Sequence, residues 1–375
     1  MRLKSLDGLR GLAALIVLFS HLAATMPGYE MARPSFAAQA FWADPLFVIK
    51  YTPLRLLIAG RASVLLFFVL SGFVLCLSLR RDHSYVAWLV RRCCRILPPF
   101  FFAILFAAAL YAAVGPATVA SASAWFNAAN WTVPPTPAFL AANLLMTGVP
   151  EVPTLNVASW SLVHEMRISI VFPLLVAALG LGFWTTLAVA AVLSTLALAF
   201  PLADPVAFTL ALTVGYVVFF VAGAALALRV GPVVAWVRAR PFAQSALLWL
   251  VALALIEAPM NRSVESLAPG LGALALIALS LASPRATLAL ESPIPAWLGR
   301  VSYSLYLVHV PILVAVVHLG GDRLPLTALF VVALCLSLGM AEICHRLVER
   351  PSIRLGRALS ARLAPHPANA APQEI

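Results

Sequence analysis

The chain has 375 residues, of which 63% are hydrophobic and 10% charged, far from a soluble domain's balance of roughly a quarter charged residues. That composition describes an all-α polytopic membrane protein, long enough for about ten spans with short connections and too short to add a soluble domain of ordinary size. The formal net charge of +11 would suit a nucleic-acid partner in a soluble chain; in a membrane protein Lys and Arg set orientation first, and no nucleic-acid partner is expected.

Apolar runs fall at 6–26, 62–79, 96–114, 158–179, 183–200, 207–228, 242–257, 269–283, 301–319 and 325–346. The first, containing LDGLRGLAALIVLFSHL, lacks a small-residue cleavage site and is not read as a signal peptide. It carries Asp7, Arg10 and His21, and ionisable groups at membrane depth usually face a polar interior. At about 100° per residue, the eleven steps from Arg10 to His21 return to within roughly 20° of one face, and the fourteen from Asp7 to within about 40°. Arg10 and His21 are then separated by about 16 Å along the axis. Taken alone, Asp7 and Arg10 are equally an i,i+3 pair at a helix mouth, and a lone helical histidine is more often a packing residue. The shared stripe favours function.

Residues 27–60 and 115–157 are rich in proline and carry Trp42, Tyr51, Trp125 and Trp131. They are expected to form an outer lid, with a short interfacial helix at about 138–146. Between spans two and three, Arg91-Arg92-Cys93-Cys94-Arg95 is either topogenic or a phosphate site, because arginine binds phosphate bidentately. Ten spans put both termini on one side. With that side cytoplasmic, 18 basic residues lie inside and 6 outside, with Arg167 within a helix, a three-to-one bias that fits the positive-inside rule.

The fourth span opens with WSLVHEMR, bringing His164, Glu165 and Arg167 into one helix after Ser161. Counting residues from the ends of the spans, Glu165 and His21 come to the same depth, so Glu165 is expected to orient His21 as the carboxylate of a catalytic dyad does; the bland alternative is a salt bridge. Span nine carries Tyr303 and His309. Counted from 301, His309 sits about 12 Å in, lower than His21, and belongs on the cavity wall. Glu342 and His345 are read as interfacial. The domains are an integral membrane unit over 1–350 and a cytoplasmic tail over 351–375, basic and then Ala/Pro-rich, its end disordered. All five cysteines fall in helices or at the cytoplasmic end, where no disulfide is expected, and no metal motif appears.

Several motifs together resemble the acyltransferase-3 family of membrane-bound O-acyltransferases, which acylate sugars and related hydroxyl compounds. They are the opening segment with Arg10 and His21, FFVLSGFVL at 67–75, Arg92-x-x-Arg95 before Pro98, WSLVHE at 160–165, SYSLYLVH at 302–309, and Glu349-Arg350-Pro351. The resemblance implies a ten-helix bundle moving an acyl group, by analogy acetyl, from cytoplasmic acyl-CoA to a sugar or glycan-like acceptor at or beyond the outer face. It implies His21 as the catalytic histidine, Glu165 in support, and Arg10, Arg92 and Arg95 as donor-binding residues. A stand-alone form without an appended esterase-like domain is expected because the chain stops soon after its last span, and the alanine-rich composition without eukaryotic sorting signals suits a bacterial inner membrane. Asp7, Ser161, His164, Tyr303 and His309 are supporting candidates. The expected co-substrate is acetyl-CoA or another acyl-CoA, with no metal, and the partners are that donor, the hydroxylated acceptor and membrane lipid. His21 would act as general base, an acyl-histidine intermediate staying open. The competing class is a secondary transporter or channel using the same residues as a relay.

Overall fold

The computed structural model describes residues 3–29, 45–80, 84–131, 134–148, 155–199, 203–258 and 267–363. Every one of the ten apolar runs is helical: α1 (Lys4–Thr25), then after the short α2 (Pro45–Tyr51) come α3 (Gly60–Leu79) and α4 (Tyr85–Val114). Two short helices follow, α5 (Ala124–Ala129) and α6 (Pro137–Leu144), the latter where an interfacial helix is expected. The chain continues through α7 (Trp160–Leu181), α8 (Phe183–Ala199), α9 (Pro205–Leu228), α10 (Val230–Arg238), α11 (Phe242–Ile256), α12 (Leu267–Ala282) and α13 (Pro284–Leu290). It closes with α14 (Pro293–Gly320), α15 (Leu326–Cys344), a π-helical turn over His345–Glu349, and α16 (Arg350–Leu363). Residues 30–44 of the outer segment 27–60 and the tail beyond 363 lie outside the described residues; the start of that tail is α16.

Seven of these segments are long and apolar enough to cross a membrane, and α12 with α13, bent by 97°, would make an eighth. The apolar α8 and α11 are shorter, with 17 and 15 residues. Helix limits follow local chemistry. Ser84, Ser123, Thr136, Asp204 and Ser283 each accept a hydrogen bond from a first-turn amide, satisfying donors that the helix leaves open. Outward positions such as Leu174, Leu181, Leu250 and Val331 are exposed leucine and valine, as lipid-facing helix surfaces require.

The core is built round α14, which is buried along nearly its whole length and packs on α1, α15 and α4. Its crossing with α1 depends on glycine. A Cβ on Gly11 would lie 2.3 Å from Gly299 N, and one on Gly299 would lie 2.3 Å from Asp7 O. Backbones this close are the membrane packing mode of small residues. Gly299→Val is therefore expected to push α1 from α14 and cost about 3 kcal/mol or more through overpacking. Gly339→Ala on α15, where an added Cβ meets nothing within 4 Å, should change stability by less than about 1 kcal/mol. Thermal unfolding of both variants in one detergent checks the contrast, and equal midpoints would show that the crossing is not glycine-dependent.

Candidate active site

One end of the bundle opens into a cavity of about 1240 Å³ lined by α1, α3, α4, α7, α14, α15 and α16. Its wall is graded. Nine arginines line it, from Arg10, Arg91, Arg92 and Arg95 to Arg300, Arg346, Arg350, Arg354 and Arg357, against four carboxylates. Deeper in, the lining turns to Phe67, Phe68, Ser161 and Tyr306. The carboxylates are committed to particular partners: Asp7 to Arg10 at 3.0 Å, Glu165 to Arg92 at 2.5 Å, Glu342 to Arg346 at 2.5 Å, and Glu349 to His345 at 3.0 Å. Among the described residues none of these carboxylates pairs with Arg95, Arg300, Arg350, Arg354 or Arg357, which leaves the mouth strongly cationic.

Arg10 is held by more than Asp7. Its Nε donates to Ser302 Oγ at 2.9 Å and its Nη2 to Gly299 O at 3.1 Å, contacts that exist because the glycine crossing brings α1 against α14. Tyr303, also on the lining, donates to Ile96 O at 2.8 Å just before the Pro98-Pro99 pair of α4.

Glu165 does not orient His21. Its carboxylate accepts from Ser71 Oγ at 2.7 Å and from Arg92, whose Nε also donates to Ser169 Oγ at 3.0 Å. The depth comparison ignored lateral position: α1 packs on α14 and α3, whereas α7 packs on α9, α3 and α4. Equal depth on helices separated by a third gives no contact. The bland reading of Glu165 as a salt-bridge residue is the one realised, and it engages much of the Arg92 guanidinium.

The group beside His21 is His309. His309 Nε2 lies 3.2 Å from His21 Nδ1, with ring centroids 5.0 Å apart. Neither imidazole lines the cavity, so His309 is not on the cavity wall. The expected depth failed because α14 begins at Pro293, eight residues before the apolar run that was counted. From the true helix starts, His309 lies about 24 Å in and His21 about 26 Å in. Tyr306 links the two regions. It lines the cavity, its hydroxyl bonds Ser161 Oγ at 2.7 Å, and its ring stands 6.0 Å from that of His309.

Hydrogen-bond partners assign the tautomers. His21 Nδ1 lies 3.0 Å from Val17 O, and His309 Nδ1 lies 3.0 Å from Leu305 O. Carbonyls only accept, so both Nδ1 atoms carry the proton and His309 Nε2 accepts a share of the His21 Nδ1–H. His21 Nε2 keeps its lone pair, as a general base or nucleophile requires. Trp125 on α5 stands 5.9 Å from the His21 ring, and Ser123 ties that segment to α1 through Ala24 O and Thr25 O. The histidine pair thus sits between the Tyr306 end of the cavity and the Trp125 cap.

Other candidates are placed elsewhere. His164 bonds Thr213 Oγ at 2.8 Å between α7 and α9, off the cavity lining. Asn156 gives its amide to Leu307 O at 2.7 Å. Glu342 and His345 both line the cavity, and Glu342 accepts from Trp297 Nε1. Ser71, Tyr306 and Glu349 were missed as site residues, although each lies in a motif already singled out. The signal was their place in the motif, and their partners are remote in sequence.

Fold and site define a multi-pass helical membrane protein with a cationic cavity leading toward an imidazole pair. The chain belongs to the acyltransferase-3 family: the sequence model described as an acyltransferase domain matches residues 3–342. It is 32% identical over 178 residues to the acyltransferase MdmB of Streptomyces mycarofaciens, covering 46% of this chain and 39% of that relative. It is 39% identical over 70 residues to the O-acetyltransferase PaAT-1 of Phomopsis amygdali, covering 19% of this chain and 13% of that one. The matched stretches thus span less than half the length of either relative. No solved structure matches.

Proposed function

We propose that the protein is a membrane O-acyltransferase that takes an acyl group, acetyl in the simplest case, from acyl-CoA and passes it to a hydroxyl of a sugar or glycan-like acceptor. The observation that carries this reading is the graded cavity, cationic at its mouth and aromatic at its end, with the His309–His21 pair beyond Tyr306. The family, and the similarity to an O-acetyltransferase, support ester formation. By the positive-inside rule the arginine-rich end faces the cytoplasm of a bacterial inner membrane, where acyl-CoA is made, and the Trp125 side faces the acceptor.

In this mechanism arginines hold the phosphates, and the pantetheine arm carries the thioester past Tyr306. The acceptor hydroxyl gives its proton to His21 Nε2 as its oxygen attacks the thioester carbonyl. The tetrahedral intermediate collapses with cleavage of the C–S bond, and the imidazolium returns the proton to the departing thiolate, leaving an ester and free CoA. His309 positions His21 and, by accepting from Nδ1–H, stabilises the imidazolium as the third member of a triad does. The test is to incubate protein purified into nanodiscs with acyl-labelled acetyl-CoA and fractionated glycan acceptors. Label on an acceptor oxygen with stoichiometric CoA release is expected; label retained on the protein before acceptor is added would indicate the acyl-histidine route. Uptake of a solute into sealed vesicles without CoA consumption would overturn the reading in favour of transport.

A further inference from the structure

Four of the nine arginines that line the cavity, Arg346 among them, come from a segment that the family match does not reach. That match ends at 342, while Arg350, Arg354 and Arg357 lie on α16. Spaced i, i+4, i+7, they share one face within about 60°. A second face, Ser352, Gly356 and Ser360, is buried, and α16 packs closely on α4: a Cβ on Gly356 would lie 2.8 Å from Cys94 Cβ. Leu355, Leu359 and Leu363 form a third, exposed face, placed as an amphipathic helix lying at a membrane surface places its apolar side.

The π turn sets which face meets the cavity. One extra residue per turn rotates everything after it by about 100° relative to a continuous α-helix. Glu349 closes that turn. It is buried, accepts from Ser304 Oγ of α14 at 2.7 Å, and faces His345 Nδ1 at 3.0 Å. This pins the start of α16 to the core helix and turns its arginines toward Arg95 and Arg300 on the same lining.

We propose that α16 is the phosphate-binding wall of the donor site, with Arg350, Arg354 and Arg357 joining Arg95 and Arg300 to hold the phosphoryl groups of the donor's nucleotide carrier. The identity of that carrier as CoA rests on the function proposed above. Arginine suits the task because its planar fork binds phosphate bidentately and stays charged. The five lack carboxylate partners among the described residues, so a polyanion meets no internal competitor. An anionic lipid headgroup offers the same chemistry, and the bilayer composition separates the two sources.

The experiment measures binding of CoA, and of CoA lacking its 3′-phosphate, to the full chain in nanodiscs of neutral phosphatidylcholine. Arg354→Gln and Arg357→Gln are each expected to weaken CoA about tenfold or more, as loss of a charge-assisted hydrogen bond does. Arg362→Gln, off the cavity lining, should stay within about twofold. Wild type should prefer CoA over the dephospho form, and the double variant should lose that preference; the wild-type comparison needs no variant to fold. CoA binding unchanged in the double variant would overturn the proposal. So would arginine effects seen only when phosphatidylglycerol is added, because the ligand would then be lipid. CoA binding with this pattern but no acyl transfer would sink the proposed activity and leave the wall intact; transfer with normal CoA affinity in the double variant would do the reverse.

Discussion

Replacing His21 with alanine should lower the rate of acyl transfer by about 10²–10⁴, the contribution typical of a positioned general base. Affinity for CoA should change by less than about twofold, because neither histidine lines the cavity that holds the arginines. His309 offers the finer test. His309→Leu removes the acceptor 3.2 Å from His21 Nδ1, and kcat should fall by about 10- to 100-fold with KM for the donor unchanged, a smaller effect than loss of the base itself. His309→Gln, whose amide oxygen can accept the same proton, should recover much of that loss. Stopped assays of CoA release across the four proteins check this. Normal turnover in His21→Ala would remove it from the chemistry, and equal defects in the Leu and Gln variants would reduce His309 to packing.

The second large effect concerns stability. Arg92 and Glu165 pair at 2.5 Å with side chains only 10% and 15% exposed. Arg92→Met strands the carboxylate with Ser71 alone and should cost about 3–5 kcal/mol, as removal of one partner from a buried pair does. Glu165→Gln keeps an oxygen for Arg92 to donate to and should cost less, about 1–3 kcal/mol. Arg92→Met combined with Glu165→Leu should recover stability to within about 1 kcal/mol of wild type, because both charges are gone. Thermal unfolding of these proteins together with the single Glu165→Leu variant, all in one detergent, gives the double-mutant cycle. Additive losses would mean that the pair is not coupled.

Each side of this pair was visible in the sequence as a motif residue, yet the pairing was not. Arg92 stood out beside Arg95, and Glu165 stood out within WSLVHE, but seventy-three positions separate them and no periodicity spans that distance. Ser71 and Glu349 were hidden for the same reason. Each lay inside a recognised motif, and its importance comes from the partner it meets across a helix interface.

Helicity, membrane character and the positions of the ten apolar runs follow from the sequence alone, because composition and caps act within a turn or two of the chain. The common stripe of Arg10 and His21 is equally local, a matter of 3.6 residues per turn. Which groups meet was decided by tertiary structure. The glycine crossing of α1 and α14 set His309 against His21, the position of α7 gave Glu165 to Arg92, and a π turn aimed the α16 arginines at the cavity. A helix fixes the depth and angular position of its own side chains; only the packing of whole helices fixes which neighbour lies opposite at that depth.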